Sequence, residues 1–206
     1  MIELLVATTN LGKFAEVKSF LAGLPLRILS LKDLDRPPAV VEDGRTFEEN
    51  ALKKARTLAD FSGLLTLADD SGLEVDALNG APGIYSARYA GEDADDERNN
   101  KKLLDALAEV PTDRRTARFV CALALCVPRT QKKSDWVARE SCEGRISFTL
   151  RGDNGFGYDP LFFYPPFGKT FGKIDQETKA TVSHRGKALK RLADALPQLV
   201  GAPIPT

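Results

Sequence analysis

An alternation near the N-terminus constrains the fold most. Residues 2–7, Ile-Glu-Leu-Leu-Val-Ala, are a short apolar run of the kind that forms a buried strand. It gives way to Thr8-Thr9-Asn10-Leu11-Gly12, a turn of small and polar residues. Phe14, Val17, Phe20 and Leu21 then recur at helical spacing, with Glu16 and Lys18 on the other face, until Gly23 and Pro25 stop the helix. Residues 26–29 read as a second strand. Strand, helix and strand in that order, each apolar on one side, demand a sheet with helices packed on it.

The rest of the chain continues the pattern. Thr46-x-x-Glu49 has the capping-box spacing and predicts a helix from there to about residue 60. Residues 64–68 read as a strand that ends in Asp69-Asp70-Ser71-Gly72, and residues 73–78 as another, closed by the turn signal Asn79-Gly80. A helix with an acidic start is expected over 95–107, a strand pair over 117–127 and 136–146, a glycine-rich loop over 151–158 and a last helix over 184–196. The expected class is α/β with a mixed sheet. The 206 residues show no repeat or linker and suffice for one domain, or two lobes on one core. Folding at this length buries about 70% of the chain's surface without help from a metal or disulfide.

Charge narrows the partners. Lys and Arg number 29 against 29 Asp and Glu, which argues against a nucleic-acid polymer or a membrane surface as partner, since both select an excess of positive charge. A compact anion site remains open. Cys121, Cys126 and Cys142 lack zinc-site spacing, and two of them sit in an apolar run, so they read as reduced core residues. The first residues have no basic segment of a signal peptide, and no window approaches the roughly 20 apolar residues of a membrane span. A cytoplasmic protein is expected.

Four stretches carry possible chemistry. Thr8, Thr9, Asn10, Gly12 and Lys13 combine a helix start, hydroxyls and a lysine, a combination suited to phosphate; an ordinary helix cap on Thr9 or Asn10 with a solvated lysine fits equally well. Asp69-Asp70 at a strand's carboxyl end sits where α/β sheets place ligands, and a carboxylate there can hold Mg²⁺ or act as a base; a plain Asx turn is the simpler account. The acids between Glu92 and Glu97 read as a solvated helix start. In Gly155-Phe156-Gly157-Tyr158-Asp159-Pro160, glycines flank an aromatic that can stack on a base, and Asp159 can accept from ring N–H groups; an aromatic turn packed on the core is the alternative. Finally, residues 179–187 hold the single histidine, His184, beside Arg185. From 169 to 191, seven Lys or Arg face two acids, although a basic helix is usually solvated.

Taken together and in this order, the stretches resemble the inosine triphosphate pyrophosphatase family, which acts on noncanonical purine nucleotides. The matching motifs are Ala7-Thr8-Thr9-Asn10-Leu11-Gly12-Lys13, Thr46-Phe47-Glu48-Glu49-Asn50-Ala51, Leu67-Ala68-Asp69-Asp70-Ser71-Gly72-Leu73, the stretch from Gly80 through Pro82 to Tyr89, Gly155-Phe156-Gly157-Tyr158-Asp159-Pro160, and Ser183-His184-Arg185-Gly186. The resemblance spans nearly the whole chain. It implies a two-lobed α/β fold around a long mixed sheet, a site in the cleft, and a homodimer. It further implies Mg²⁺-dependent hydrolysis of ITP, dITP and XTP to the monophosphate and pyrophosphate. By position, Thr8, Thr9, Asn10, Leu11, Gly12 and Lys13 would bind the triphosphate. Asp70 would be proton acceptor and metal ligand, and Ser71 a substrate contact. Phe156, Gly157, Tyr158, Asp159, Lys179, His184 and Arg185 would complete the nucleotide site. The second metal-binding acid falls to Glu42, with Glu49 in reserve. Thr9 stands where many members have glycine. Two rivals are a protein that holds a triphosphate without cleaving it, and the pyrophosphatases related to septum-formation inhibitors, which prefer modified pyrimidines.

Overall fold

The computed structural model describes residues 2–131 and 134–200. The elements are β1 (Ile2–Ala7), α1 (Leu11–Phe20), β2 (Leu26–Ser30), α2 (Phe47–Ser62), β3 (Leu65–Val75), α3 (Asp96–Ala106), β4 (Thr116–Cys126), β5 (Trp136–Ile146), β6 (Phe162–Tyr164), β7 (Lys169–Thr170), α4 (Gln176–Val182) and α5 (His184–Val200). The strands form one mixed sheet in the order β2-β1-β3-β4-β5-β6-β7. β1 runs parallel to β2 and β3, and β6 runs antiparallel to β5 and β7. The α/β class and the flanking helices match the expectation. Among the described residues no helix is long and apolar enough to cross a membrane.

Contacts divide the chain into two compact units. The first comprises Met1–Asp70, Cys121–Glu140 and Gly186–Thr206, and the second comprises Ser71–Val120 and Ser141–Arg185. In the first, the period of two along each strand does the sorting. Leu4 and Val6 of β1, with Leu67 of β3 and Cys121, Leu123 and Leu125 of β4, pack against Val17 and Leu21 of α1 and Ala188, Leu189, Leu192 and Leu196 of α5. Each fully buried leucine contributes about 2 kcal/mol. Asn10 caps α1 and Thr46 caps α2, and Gly63 ends α2 at φ 72°, where a glycine avoids the strain of the left-handed region.

In the second unit, Leu73, Val75, Leu103, Leu107, Phe119, Ile146, Leu161, Phe162 and Phe171 form the core. Phe162 lies 4.6 Å from Phe119 and 4.9 Å from Phe171, ring centre to ring centre, in tilted contacts. Arg115 is buried here. Its guanidinium donates to the carbonyls of Val110 (2.9 Å) and Leu107 (2.5 Å), with Cζ 3.8 Å from the centre of the Phe148 ring. Carbonyls and a ring face replace water around the charge, and burial pulls its pKa down.

Two local expectations fail, and three elements are additional. The predicted break at residues 69–72 is absent, because β3 is one eleven-residue strand. The register explains this: Ala7, the last residue of β1, pairs with Ala68, while β4 remains the neighbour of β3 on its other side. Pairing with β4 overrides the turn preference of Asp, Ser and Gly. Residues 76–78 form a 3-10 turn rather than strand, and Asn79 (φ 53°) and Gly80 (φ 87°) then make the expected reversal. The helix α4 and the short strands β6 and β7 were not expected. The sequence signal for α4 is Asp175, whose carboxylate caps it by accepting from the N–H and Oγ1 of Thr178, both at 2.8 Å.

Candidate active site

The carboxyl end of β1 opens the first cluster. Thr8 Oγ1 accepts the N–H of Asn10 at 3.1 Å, and Asn10 Oδ1 accepts the N–H of Lys13 at 2.9 Å. The cap reading of Asn10 is therefore right, and it leaves the N–H groups of Leu11 and Gly12 with no intrahelical acceptor. Leu11 is 71% exposed, so its side chain is not part of any packed pocket. Arg36 and Asn79 are the non-glycine residues at positive φ among those described. Thr9 therefore sits on ordinary backbone, and glycine is not needed at its position.

Lys13 is not solvated. Its Nζ lies 2.6 Å from Asp69 Oδ1, and Asp69 Oδ2 accepts from Cys121 Sγ at 3.2 Å. Lys54 Nζ donates to the Asp69 carbonyl at 3.2 Å and pairs with Glu42 Oε1 at 2.7 Å. Beside these lies Asp70, buried, with Oδ2 lacking any hydrogen-bond partner. Burial pushes its pKa up to about 6, against the pull of Lys13 and Lys54, and the Glu42 charge adds to the rise. The carboxylate pair thus lies within β3 rather than at its end. The strand that ends there is β1, and the rule placing ligands at carboxyl ends is met through β1.

The loop bearing Glu42 is tied to α2 by Asn50, whose Oδ1 accepts the N–H of Gly44 at 2.8 Å. A Cβ on Gly44 would lie 2.6 Å from that oxygen. Glu49 instead accepts the N–H of Arg45 at 2.6 Å, while Thr46 Oγ1 accepts the N–H of Glu49. Glu49 is thus engaged at the helix start, and Glu42 is the acid that acts on Asp70. Among the described residues, no three His, Cys, Asp or Glu side chains gather as a metal cage. One orphaned buried carboxylate oxygen with a second acid nearby suits Mg²⁺, which takes one or two carboxylates and completes its shell with phosphate and water.

The second unit carries the other cluster. Lys179 and Asp159 form a buried ion pair at 2.6 Å, their side chains 4% and 2% exposed. Asp159 Oδ2 also accepts the N–H of Phe156 at 2.9 Å. That oxygen therefore holds the loop and the lysine. The Lys179 ammonium stands 5.1 Å, and the Arg185 guanidinium carbon 5.6 Å, from the centre of the Phe156 ring. Arg185 Nη2 donates to Ser71 Oγ at 2.9 Å, so Ser71 steadies the arginine. His184 stacks on Phe119 at 4.7 Å with the planes 13° apart. Lys179, His184 and Arg185 are all buried, which overturns the picture of a solvated basic segment at these three positions. Tyr158 is a core residue whose hydroxyl donates to the Ser86 carbonyl at 2.8 Å, with its pKa raised by burial. Its side chain packs in the core, as the alternative reading of this aromatic turn had it.

A direct consequence concerns Gly155, at φ 78°. A Cβ there would lie 2.0 Å from Asp159 Oδ2. Gly155→Ala is expected to lower the unfolding free energy by about 2 kcal/mol or more, from strain and displacement of the buried carboxylate. Denaturant melts check this, and a loss below about 0.5 kcal/mol would mean the loop relaxes freely.

Sequence reasoning missed Asn50 and Lys54 in the first unit. The signal was present: Phe47, Asn50, Ala51, Lys54, Ala55 and Leu58 form one helical stripe, and two polar residues interrupt its apolar face. Asp96 and Asn100 were missed in the same way on α3. Asp95 caps that helix through the N–H of Arg98 at 2.8 Å, in line with the reading of the acids there as a helix start.

The chain matches the Ham1 family model over residues 4–195. It is 50% identical over 200 residues to a dITP/XTP pyrophosphatase of Exiguobacterium sibiricum, covering 97% of this chain and 100% of that one. It is 53% identical over 196 residues to a dITP/XTP pyrophosphatase of Geobacter sulfurreducens, covering 95% of this chain and 97% of that one. Among solved structures, a HAM1 protein from Coxiella burnetii superposes with a TM-score of 0.87 at 39% identity, over 96% of this chain and 100% of that one. Motif order, the seven-stranded mixed sheet and this likeness along nearly the full length agree, and the chain belongs to the Ham1 family.

Proposed function

We propose that this protein hydrolyses ITP, dITP and XTP to the monophosphate and pyrophosphate, with Mg²⁺ as cofactor, and so cleanses the nucleotide pool of the cytoplasm. The observation that carries this reading is Asp70: a buried carboxylate with one orphaned oxygen, beside Lys13, Lys54 and Glu42. The names of its relatives, dITP/XTP pyrophosphatases, support the substrate class. The decisive assay measures pyrophosphate release from ITP, XTP, ATP and dTTP, with and without Mg²⁺. Release from ITP and XTP that requires Mg²⁺ and exceeds that from ATP and dTTP is expected. Binding of ITP without turnover would indicate a nucleotide-holding protein, and a preference for dTTP would point to the pyrimidine-directed enzymes.

The residues divide the work. The N–H groups at the start of α1 and the lysines Lys13 and Lys54 attract the triphosphate. Asp70 and Glu42 would hold Mg²⁺, which supplies charge neutralisation on the phosphate oxygens and the pyrophosphate leaving group. Asp70, whose pKa burial raises to about 6 in the metal-free protein, is largely ionised at neutral pH and would accept a proton from the water that attacks the α-phosphorus. Asp69 fixes Lys13 rather than reacting. In the second unit, Phe156 offers a face to the purine, and donors of His184 and Arg185 meet the 6-oxo group. Adenine presents a donor there, so donor would face donor, a mismatch of about 10⁴-fold. The fixed poses of Arg185 on Ser71 and His184 on Phe119 favour such discrimination.

The two candidate acids separate by experiment. Glu42→Ala is expected to raise the Mg²⁺ concentration needed for half-maximal rate at least tenfold. Glu49→Ala should instead cost about 1 kcal/mol of stability through the lost helix-start contact, with little change in Mg²⁺ demand. The reverse pattern would make Glu49 the ligand. A homodimer belongs to the same proposal. Phe148 and Leu150, each 53% exposed, are apolar surface of the kind a partner copy covers. Light scattering giving twice the chain mass is expected, and a monomer at micromolar concentration would remove this part.

A further inference from the structure

Helix α3 holds the loop that carries Phe156. Asp96 and Asn100 stand at i and i+4, so their side chains leave the same face of the helix. Asp96 Oδ2 accepts the N–H of Gly157 at 2.6 Å, and Asn100 Nδ2 donates to the Gly157 carbonyl at 2.9 Å. The N–H of Phe156 is taken by Asp159. The backbone on either side of the Gly157 α-carbon is therefore fixed by one helix, directly after the aromatic ring.

This matters because Gly157, at φ 61°, has no Cβ to restrict it and so has many conformations to lose. Residues 153–155 before it are exposed, with Asn154 donating to the carbonyls of Gly172 (3.0 Å) and Ile174 (3.2 Å), so α3 supplies the restraint at Gly157 itself. The helix itself is firmly held. Leu103 is fully buried, and Asn99 accepts the N–H of Ala90 at 2.8 Å and donates to the Ala87 carbonyl at 3.0 Å. Asn100 carries a second sign of a positioning task. Its Oδ1 is buried with no hydrogen-bond partner. An apolar residue would avoid that loss, whereas the amide supplies the donor that Gly157 uses.

We propose that Asp96 and Asn100 are positioning residues that set where the Phe156 ring meets the purine, and so govern affinity for the nucleoside part of the substrate while leaving the phosphate chemistry alone. The inference rests on the reading of Phe156 as the base-stacking residue. Losing one of the two hydrogen bonds frees a glycine hinge and costs about five- to tenfold in affinity.

The experiment is steady-state kinetics on ITP, with tripolyphosphate as a competitive probe of the phosphate subsite alone. Asp96→Ala and Asn100→Ala are expected to raise KM five- to tenfold, with kcat within twofold and the tripolyphosphate inhibition constant unchanged. Asp96→Asn, which keeps an acceptor oxygen for the Gly157 N–H, should restore most of the affinity. Phe156→Ala is the control for the underlying reading and should raise KM further. If Phe156→Ala leaves KM unchanged, base stacking itself is wrong. If it raises KM while both α3 variants match the parent, the positioning role is overturned. Asp96→Asn behaving like Asp96→Ala would assign the effect to charge and overturn the hydrogen-bond account, as would a parallel rise in the tripolyphosphate constant. Should Asn100→Ala fail to fold, the exposed Asp96 pair decides the matter.

Discussion

Asp70→Asn is expected to lose about 10³-fold or more in pyrophosphate release and at the same time to make the metal-free protein more stable at neutral pH. Both effects come from one carboxylate. Its pKa is raised from 3.8 to about 6, mainly by burial, so between those values the folded protein holds a proton that the unfolded chain has released. Stability therefore falls as pH rises through that window, by up to about 3 kcal/mol once the group is fully ionised. Asparagine never ionises and escapes this loss. The gap in unfolding free energy between variant and parent should be near zero below pH 4, open between 4 and 6, and stay constant to pH 8. Urea melts at several pH values without metal measure it. Adding Mg²⁺ should then stabilise the parent and not the variant, by mass action on the folded state. A variant that is no more stable at pH 7 than the parent would refute the buried-charge account, and near-normal turnover would refute the catalytic one.

Asp159→Ala carries the second large effect. It removes the carboxylate from a buried ammonium and frees the N–H of Phe156 in one step. Breaking a buried ion pair from one side costs about 3–5 kcal/mol, because the remaining charge stays in a poor solvent. For a chain of this length that is about 10 °C in Tm. Replacing both partners, Asp159→Leu with Lys179→Met, should recover much of the stability while ITP hydrolysis stays impaired, since Phe156 loses one of its two flanking cations. A loss under about 1 kcal/mol for the single variant would mean that water reaches the pair. Stability recovered by the double variant together with full activity would remove Lys179 from the nucleotide site.

The sequence was legible wherever the signal was local. The strand–helix–strand start, the cap at Thr46, the helix start at Asp95 and the β4–β5 pair depend on periodicity and on residues within four positions of each other. These came out within a few residues of the observed bounds. The run from Asp69 to Gly72 misled for the same reason, since its composition is that of a turn and only the neighbouring strand β4 keeps it extended. The helix α4 was missed because seven residues hold too little periodicity to register.

The site divides along the same line. Sequence alone determined the kinds of group present, their order along the chain and the family they resemble, because motifs are strings. Which groups face one another was decided only by the tertiary structure. Lys13 meets Asp69 across 56 positions, Asp159 meets Lys179 across 20, and Arg185 meets Ser71 across 114. Burial was decided there too: it turned Tyr158 into a core residue, made a basic segment into an enclosed pair of donors and lifted the pKa of Asp70. Desolvation and pairing depend on everything that surrounds a group in space, and neither the composition nor the spacing of the chain contains that information.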